Sequence, residues 1–173
     1  MLKTTANKIT VLRIILIPVF LLLAYQDLRL PALLVYLLAC VSDMADGYIA
    51  RHCNQITNFG KFMDPLADKM LVLAAMCCFI ENGQMPGWAV ALVLFREFAV
   101  SGLRLIAAEQ GRVIAAAKSG KLKTVITMIG LACMMLFPSQ LINLICTTLI
   151  LISTVYSGIE YFLKNRDVFQ DID

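Results

Sequence analysis

Charge is scarce in this 173-residue chain: Asp, Glu, Lys and Arg together make up 16% of it, against 60% hydrophobic residues. With a mean hydropathy of +0.80, that balance excludes an ordinary soluble domain and places the chain among membrane proteins. Histidine is nearly missing. His52 stands alone after Arg51, where a solvated side chain is expected rather than a catalytic one. The six cysteines (Cys40, Cys53, Cys77, Cys78, Cys133, Cys146) form no CxxC pair and no Cys/His metal spacing, and five lie in apolar runs, so they read as small buried hydrophobes. No small-residue cleavage site follows the first apolar run, which contains Arg13, so it reads as a retained helix rather than a signal peptide. Internal repeats, low-complexity stretches and long linkers are absent too, and residues 1–173 read as one domain. A transporter built from inverted repeats would show matching interrupted helices in its two halves, and the acidic pattern described below has no counterpart after residue 87.

What the chain does have is long apolar segments, at about 9–26, 31–52, 61–81, 87–108, 122–137 and 140–162. Each is near the ~20 residues that a bilayer core requires, which predicts an all-α integral membrane protein of six transmembrane helices. Turn and polar residues punctuate them: Gln26-Asp27, Glu81-Asn82-Gly83-Gln84, Gly111 with Gly120, and Pro138-Ser139-Gln140. With the N-terminus inside, the inner segments carry Lys3, Lys8, Arg51, Lys61, Arg104, Arg112, Lys118, Lys121, Lys123, Lys164 and Arg166, and the outer turns carry only Arg29. Positive charge stays on the cytoplasmic side, so both termini are expected in the cytoplasm of a cell-membrane protein.

Four acids then stand out. Asp43, Asp46, Asp64 and Asp68 fall at the expected cytoplasmic ends of the second and third helices, inside sequence greasy enough to enter a bilayer. A carboxylate at membrane depth costs about 2.5–3.5 kcal/mol on insertion scales, so four of them call for compensation. Some could pair with Arg51, Lys61 or Lys69; a shared metal would serve all four. On a helix Asp43, Asp46, Gly47 and Ala50 share one face, as do Asp64 and Asp68. Two such faces turned together offer a small volume rich in hard oxygen donors. That suits Mg²⁺ or Mn²⁺, and a pair of such ions can clamp the two oxygens of a phosphoryl displacement. Gly47 and Ala50 leave room for a nucleotide or a close helix neighbour, and Arg51 presents a fork of donors to phosphate.

The spacing resembles the signature of the CDP-alcohol phosphatidyltransferase family, D-x2-D-G-x2-A-R-x8-G-x3-D-x3-D, met at Asp43, Asp46, Gly47, Ala50, Arg51, Gly60, Asp64 and Asp68. Asn7 through Arg13, Thr57 through Lys69, Arg96-Glu97 through Arg104, and Gly120-Lys121-Leu122-Lys123-Thr124 are similar to the members that use glycerol 3-phosphate. Two stretches depart from the pattern: Thr4-Thr5-Ala6-Asn7 lacks a common proline, and Ile126-Thr127 stands where Thr-Gln is common.

The resemblance implies the six-helix fold of the family, with the active site at the cytoplasmic ends of helices two and three. It implies transfer of a phosphatidyl group from CDP-diacylglycerol to sn-glycerol 3-phosphate, releasing CMP, with two divalent ions, Mg²⁺ or Mn²⁺, as cofactors. Asp43, Asp46, Asp64 and Asp68 would be metal ligands, and Asp68 also the base. Asn7, Thr10, Asp43, Asp46, Gly47, Ala50, Arg51 and Gly60 would border the donor nucleotide. Arg104, Arg112, Lys118, Lys121 and Lys123 would meet the acceptor phosphate, although topology and anionic lipid also gather such cations. Asn7, Thr10 and Arg13 have an ordinary alternative in interfacial capping and snorkelling. Arg96 and Glu97 point about 100° apart and are expected to pair with neighbouring helices rather than each other. A homodimer in membrane lipid is implied, and no nucleic-acid partner. The rivals are other acceptors (serine, inositol phosphate, a second phosphatidylglycerol), an intramembrane prenyltransferase, and a cation transporter. Prenyltransferase aspartate motifs sit in two distant regions, unlike the compact run here.

Overall fold

The computed structural model describes residues 5–52, 58–112, 114, 115 and 117–168, and within these the side chains of 5–8, 43–52, 58–62, 64 and 65 lie outside the description. Among the described residues the chain forms six α-helices and no strand: α1 Thr5–Tyr25, α2 Arg29–His52, α3 Asn58–Glu81, α4 Gly87–Glu109, α5 Lys118–Leu136 and α6 Gln140–Lys164. The apolar segments anticipate all six. Differences lie mainly at the N-terminal ends of α1, α3 and α5, which begin three or four residues earlier, because polar residues such as Lys118, Ser119 and Lys121 continue the helix past its apolar stretch.

The turns explain themselves chemically. Asp27 and Gly83 take left-handed backbone angles (φ 56° and 65°) just past α1 and α3. Leu28 N–H then donates to Leu23 O and Gln84 N–H to Phe79 O, closing carbonyls that the helix end would leave orphaned. Gly111 (φ 74°) ends α4 the same way, with Arg112 N–H on Ala107 O. Pro65 lies in the interior of α3, so it does not begin that helix.

Helix α1 packs on α2 and α3, α2 also on α5, and α6 on α5 and α4. Phe20, Tyr36, Leu71, Met76, Leu131, Met134 and Ile150 form the main core, where the rings of Phe20 and Tyr36 stand 5.9 Å apart and tilted by 50°. At Gly130 an added Cβ would come within 3.2 Å of Ile150 Cδ1, which marks the close approach of α5 to α6. A second cluster of Val100, Leu103, Ala107, Tyr161 and Val168 docks the segment after α6 onto α4.

Apolar residues fill the periphery as well as the core, unlike in a soluble bundle. Leu22, Leu34, Phe95, Phe98, Leu144 and Ile152 are exposed, whereas Thr10, Arg13, Lys123, Thr127, Asn143, Thr147, Thr154 and Ser157 are buried. In water that arrangement would be costly; in hydrocarbon the periphery is solvated and the polar groups turn inward. Among the described residues α5 and α6 are long and apolar enough to cross a membrane, and α1 and α2 contain shorter apolar stretches, Ile9–Tyr25 and Arg29–Ser42. The described cysteines are free thiols, two of them (Cys78 and Cys146) buried; Cys53 lies outside the described residues.

Candidate active site

Asp68, on α3, is half-buried. It lines a cleft of about 150 Å³ between α3, α4 and α5, with Lys69, Glu97, Lys123 and Thr124 at its polar end and Leu73, Met76 and Val93 along its apolar walls. The other members of the acidic motif lie toward the C-terminus of α2 and the N-terminus of α3: Asp43 and Asp46 one turn apart on α2, and Asp64 one turn before Asp68. The side chains of Asp43, Asp46, Ala50, Arg51 and Asp64, the surroundings of Gly47 and Gly60, and the side chain of Asn7 fall outside the described residues. Thr10 is buried, and Arg13 is 0% exposed, with its Nε donating to Ser42 Oγ at 3.4 Å. Arg13 therefore does not snorkel; it braces α1 against the residue that immediately precedes Asp43.

The five cations expected at an acceptor phosphate separate into three settings. Arg104 and Lys121 line one pocket of about 200 Å³, together with Lys69, Arg96, Glu97 and Ser101. Arg112 and Lys118 line another, of about 570 Å³, beside Lys164 and Asp167. There Arg112 Nη2 is already engaged by Asp167 Oδ2 at 2.6 Å, and that guanidinium holds the Asp167 carboxyl below its ordinary range. Lys123 turns to the Asp68 cleft instead. It is 5% exposed, and its Nζ donates to Glu97 Oε1 at 2.8 Å.

Glu97 is thus the ion-pair centre of this region. It accepts from Lys123 on α5 and from its own neighbour, Arg96 Nη1, at 3.0 Å. The first partner is the neighbouring-helix contact expected from the sequence; the second corrects the expectation that Arg96 and Glu97 do not pair. An arginine arm is long enough to fold back across the 100° between adjacent positions. The path of the arm is set by glycine: an added Cβ on Gly158 would meet Arg96 Cγ at 3.2 Å, and one on Gly120 would meet Arg96 Nη2 at 3.5 Å. Gly120 therefore accommodates a guanidinium between helices and is no fragment of a phosphate-binding loop. Lys69 and Ser101, which the sequence singled out less, are joined by a hydrogen bond from Lys69 Nζ to Ser101 Oγ at 2.7 Å. The signal available for Lys69 was its place directly after Asp68.

Residues 3–157 match the family model described as CDP-alcohol phosphatidyltransferase. The chain belongs to that family. It is 39% identical to a CDP-diacylglycerol–glycerol-3-phosphate 3-phosphatidyltransferase of Bacillus subtilis, over 95% of this chain and 96% of the relative. It is 34% identical to a probable phosphatidylglycerophosphate synthase of Mycobacterium tuberculosis, over 94% and 82% of the two chains. It is 33% identical to a CDP-diacylglycerol–glycerol-3-phosphate 3-phosphatidyltransferase of Rickettsia typhi, over 96% and 99%. The family membership agrees with the resemblance drawn from the eight motif residues on α2 and α3 and the stretch between them.

Proposed function

We propose that this chain is a membrane transferase that moves the phosphatidyl group of CDP-diacylglycerol to sn-glycerol 3-phosphate, giving phosphatidylglycerophosphate and CMP. The observation that carries the reading is the adjacency of a carboxylate cleft, holding Asp68, and a pocket with Arg104 and Lys121 on its walls. A hydroxyl to be deprotonated and a phosphate to be neutralised, both on one small molecule, need such a pair of neighbouring environments. The relatives in Bacillus subtilis and Rickettsia typhi are named for the same donor and acceptor.

In this proposal the chain is one domain spanning the cell membrane six times, as a homodimer with both termini cytoplasmic and the site beneath the inner leaflet. The apolar periphery and the inward-facing polar groups support the membrane setting. Asp43, Asp46, Asp64 and Asp68 would hold two divalent ions, Mg²⁺ or Mn²⁺. An all-carboxylate donor set and a half-buried Asp68 suit such hard cations. When bound, they supply charge neutralisation on the diphosphate and on the departing CMP.

The chain's own residues do the rest. Asn7, Thr10, Arg51 and the Gly47, Ala50 and Gly60 positions border the donor nucleotide alongside Asp43 and Asp46. Arg104 and Lys121 orient the acceptor phosphate. Lys118 and Arg112 draw the acceptor in from the cytoplasmic face, and Lys123, fixed by Glu97, adds positive charge to the Asp68 cleft. Asp68 takes the proton of the acceptor hydroxyl as its oxygen bonds to the lipid-side phosphorus and the bond to CMP breaks. Purified protein in micelles with CDP-diacylglycerol and radiolabelled glycerol 3-phosphate should yield labelled lipid and equimolar CMP only with divalent metal. Turnover with serine or inositol phosphate in its place would reassign the acceptor, and metal flux without lipid product would indicate a transporter.

A further inference from the structure

The Asp68 cleft and the basic pocket share a wall, because Lys69, Glu97 and Thr124 line both. Two of these three groups are committed elsewhere. Glu97 is engaged by Arg96 and Lys123, and the Thr124 hydroxyl donates to Gly120 O at 3.1 Å. Lys69 differs. It is rooted one residue after Asp68, its ammonium reaches α4 to donate to Ser101 Oγ at 2.7 Å, and it forms no ion pair among the described residues. A neutral hydroxyl uses one of its three N–H donors, and its charge acts on Glu97 only through space, where Arg96 and Lys123 already hold the carboxylate in contact.

Consecutive positions on a helix point about 100° apart and are joined by one rigid peptide. Asp68 and Lys69 are therefore rooted side by side on the wall of adjoining hollows, and the hydrogen bond to Ser101 sets where the Lys69 ammonium stands. We propose that Lys69, held by Ser101, contacts the acceptor's phosphate where the two hollows meet. It thereby selects acceptors whose phosphate lies a short carbon chain from the reacting hydroxyl. This deepens, and rests on, the reading of Asp68 as base and of the basic pocket as the acceptor-phosphate site. Ser101 is a positioning residue that acts through Lys69, tying the flexible ammonium to α4 so that less freedom is lost on binding.

The test uses the full-length protein in micelles at saturating CDP-diacylglycerol. Lys69→Gln should raise the KM for glycerol 3-phosphate about 10- to 100-fold, the range expected for one hydrogen bond to a charged group, while the KM for CDP-diacylglycerol and the thermal midpoint stay put. Lys69→Arg should recover most of the loss. Ser101→Ala should raise the same KM by a smaller factor, and the double variant should be no worse than Lys69→Gln alone. Inorganic phosphate, used as a competitive inhibitor, should weaken in parallel. A fall in kcat at unchanged acceptor KM, or additive effects of the two substitutions, would overturn the proposal. If Arg104→Ala raises the acceptor KM and Lys69→Gln does not, this inference fails alone; if neither does, the pocket assignment fails with it. Should the wild type incorporate no glycerol 3-phosphate, the proposed reaction is wrong. The Lys69 contact is then decided by whether inorganic phosphate raises the thermal midpoint of the wild type but not of Lys69→Gln.

Discussion

At one end of the bundle α1 passes to α2 through residues 26–28, α3 to α4 through 82–86, and α5 to α6 through 137–139. Two of these turns, 26–28 and 82–86, close on left-handed residues, and Tyr25 Oη donates to Glu81 Oε1 across them at 3.0 Å. At the opposite end the α4–α5 connection is longer, hollows open between the helices, and Asp68, Lys69, Glu97, Arg104, Lys121 and Lys123 gather around two of them. The first end closes its turns with its own backbone, around a hollow of about 240 Å³ lined in part by Asp27 and Arg29, whereas the second gathers those six charged groups around its hollows. A site for a charged ligand needs the second condition, and the economy of the first supplies the rigidity that holds it. The contrast can be broken or sharpened in order of expected effect.

Asp68→Asn should lower turnover about 10²- to 10⁴-fold, the usual contribution of a general base, with the thermal midpoint little changed. Collapse of the fold instead would make Asp68 a structural group of that end of the bundle. Arg104→Ala should raise the KM for glycerol 3-phosphate about 10- to 100-fold and leave the donor KM near its wild-type value, as steady-state kinetics with each substrate varied would show. Glu97→Gln strands Lys123 without its ion partner. Breaking a fully buried pair costs about 3–5 kcal/mol, and less is expected here because Glu97 is partly exposed. Denaturant or thermal unfolding should show the loss, and Glu97→Gln/Lys123→Met should regain part of it.

Gly158→Leu should crowd Arg96 and cost about 1–3 kcal/mol, the usual range for overpacking, whereas Gly102→Leu meets open space and should be nearly silent in the same melting experiment. The smallest effect belongs to Arg112 and Asp167 at the exposed rim. Because Arg112 lowers the Asp167 pKa, the pair's contribution is present above the ordinary carboxylate range and is lost as pH falls through the lowered value. Asp167→Asn should therefore change the thermal midpoint slightly at neutral pH and not at all in acid, and high salt should erase the difference.

The residues that could be read in advance share a property: their signal is local. Asp27, Gly83 and Gly111 announce turns because few residues tolerate a left-handed backbone, and the apolar segments announce helices because the bilayer core has a set thickness. The eight-residue motif is local too, as it lies on two consecutive helices and the stretch between them. Arg96, Glu97 and Lys123 were legible only in part, because which carboxylate a long cation reaches depends on helices distant in sequence. Lys69 and Ser101, 32 positions apart, carry no mutual signal in the chain.

From the amino acids alone came the helical class, the six segments, the polarity of the two ends and the acidic motif. These follow from local hydrophobicity, backbone tolerance and spacing along one helix. The tertiary structure decided that the five candidate cations divide among three settings, that Arg13 is buried against α2, that glycines on α5 and α6 make way for Arg96, and that Lys69 stands between the two hollows. Those outcomes depend on how α3, α4, α5 and α6 are rotated against one another. Rotation is set by side-chain packing summed over the whole interface, a quantity that no single stretch of sequence contains.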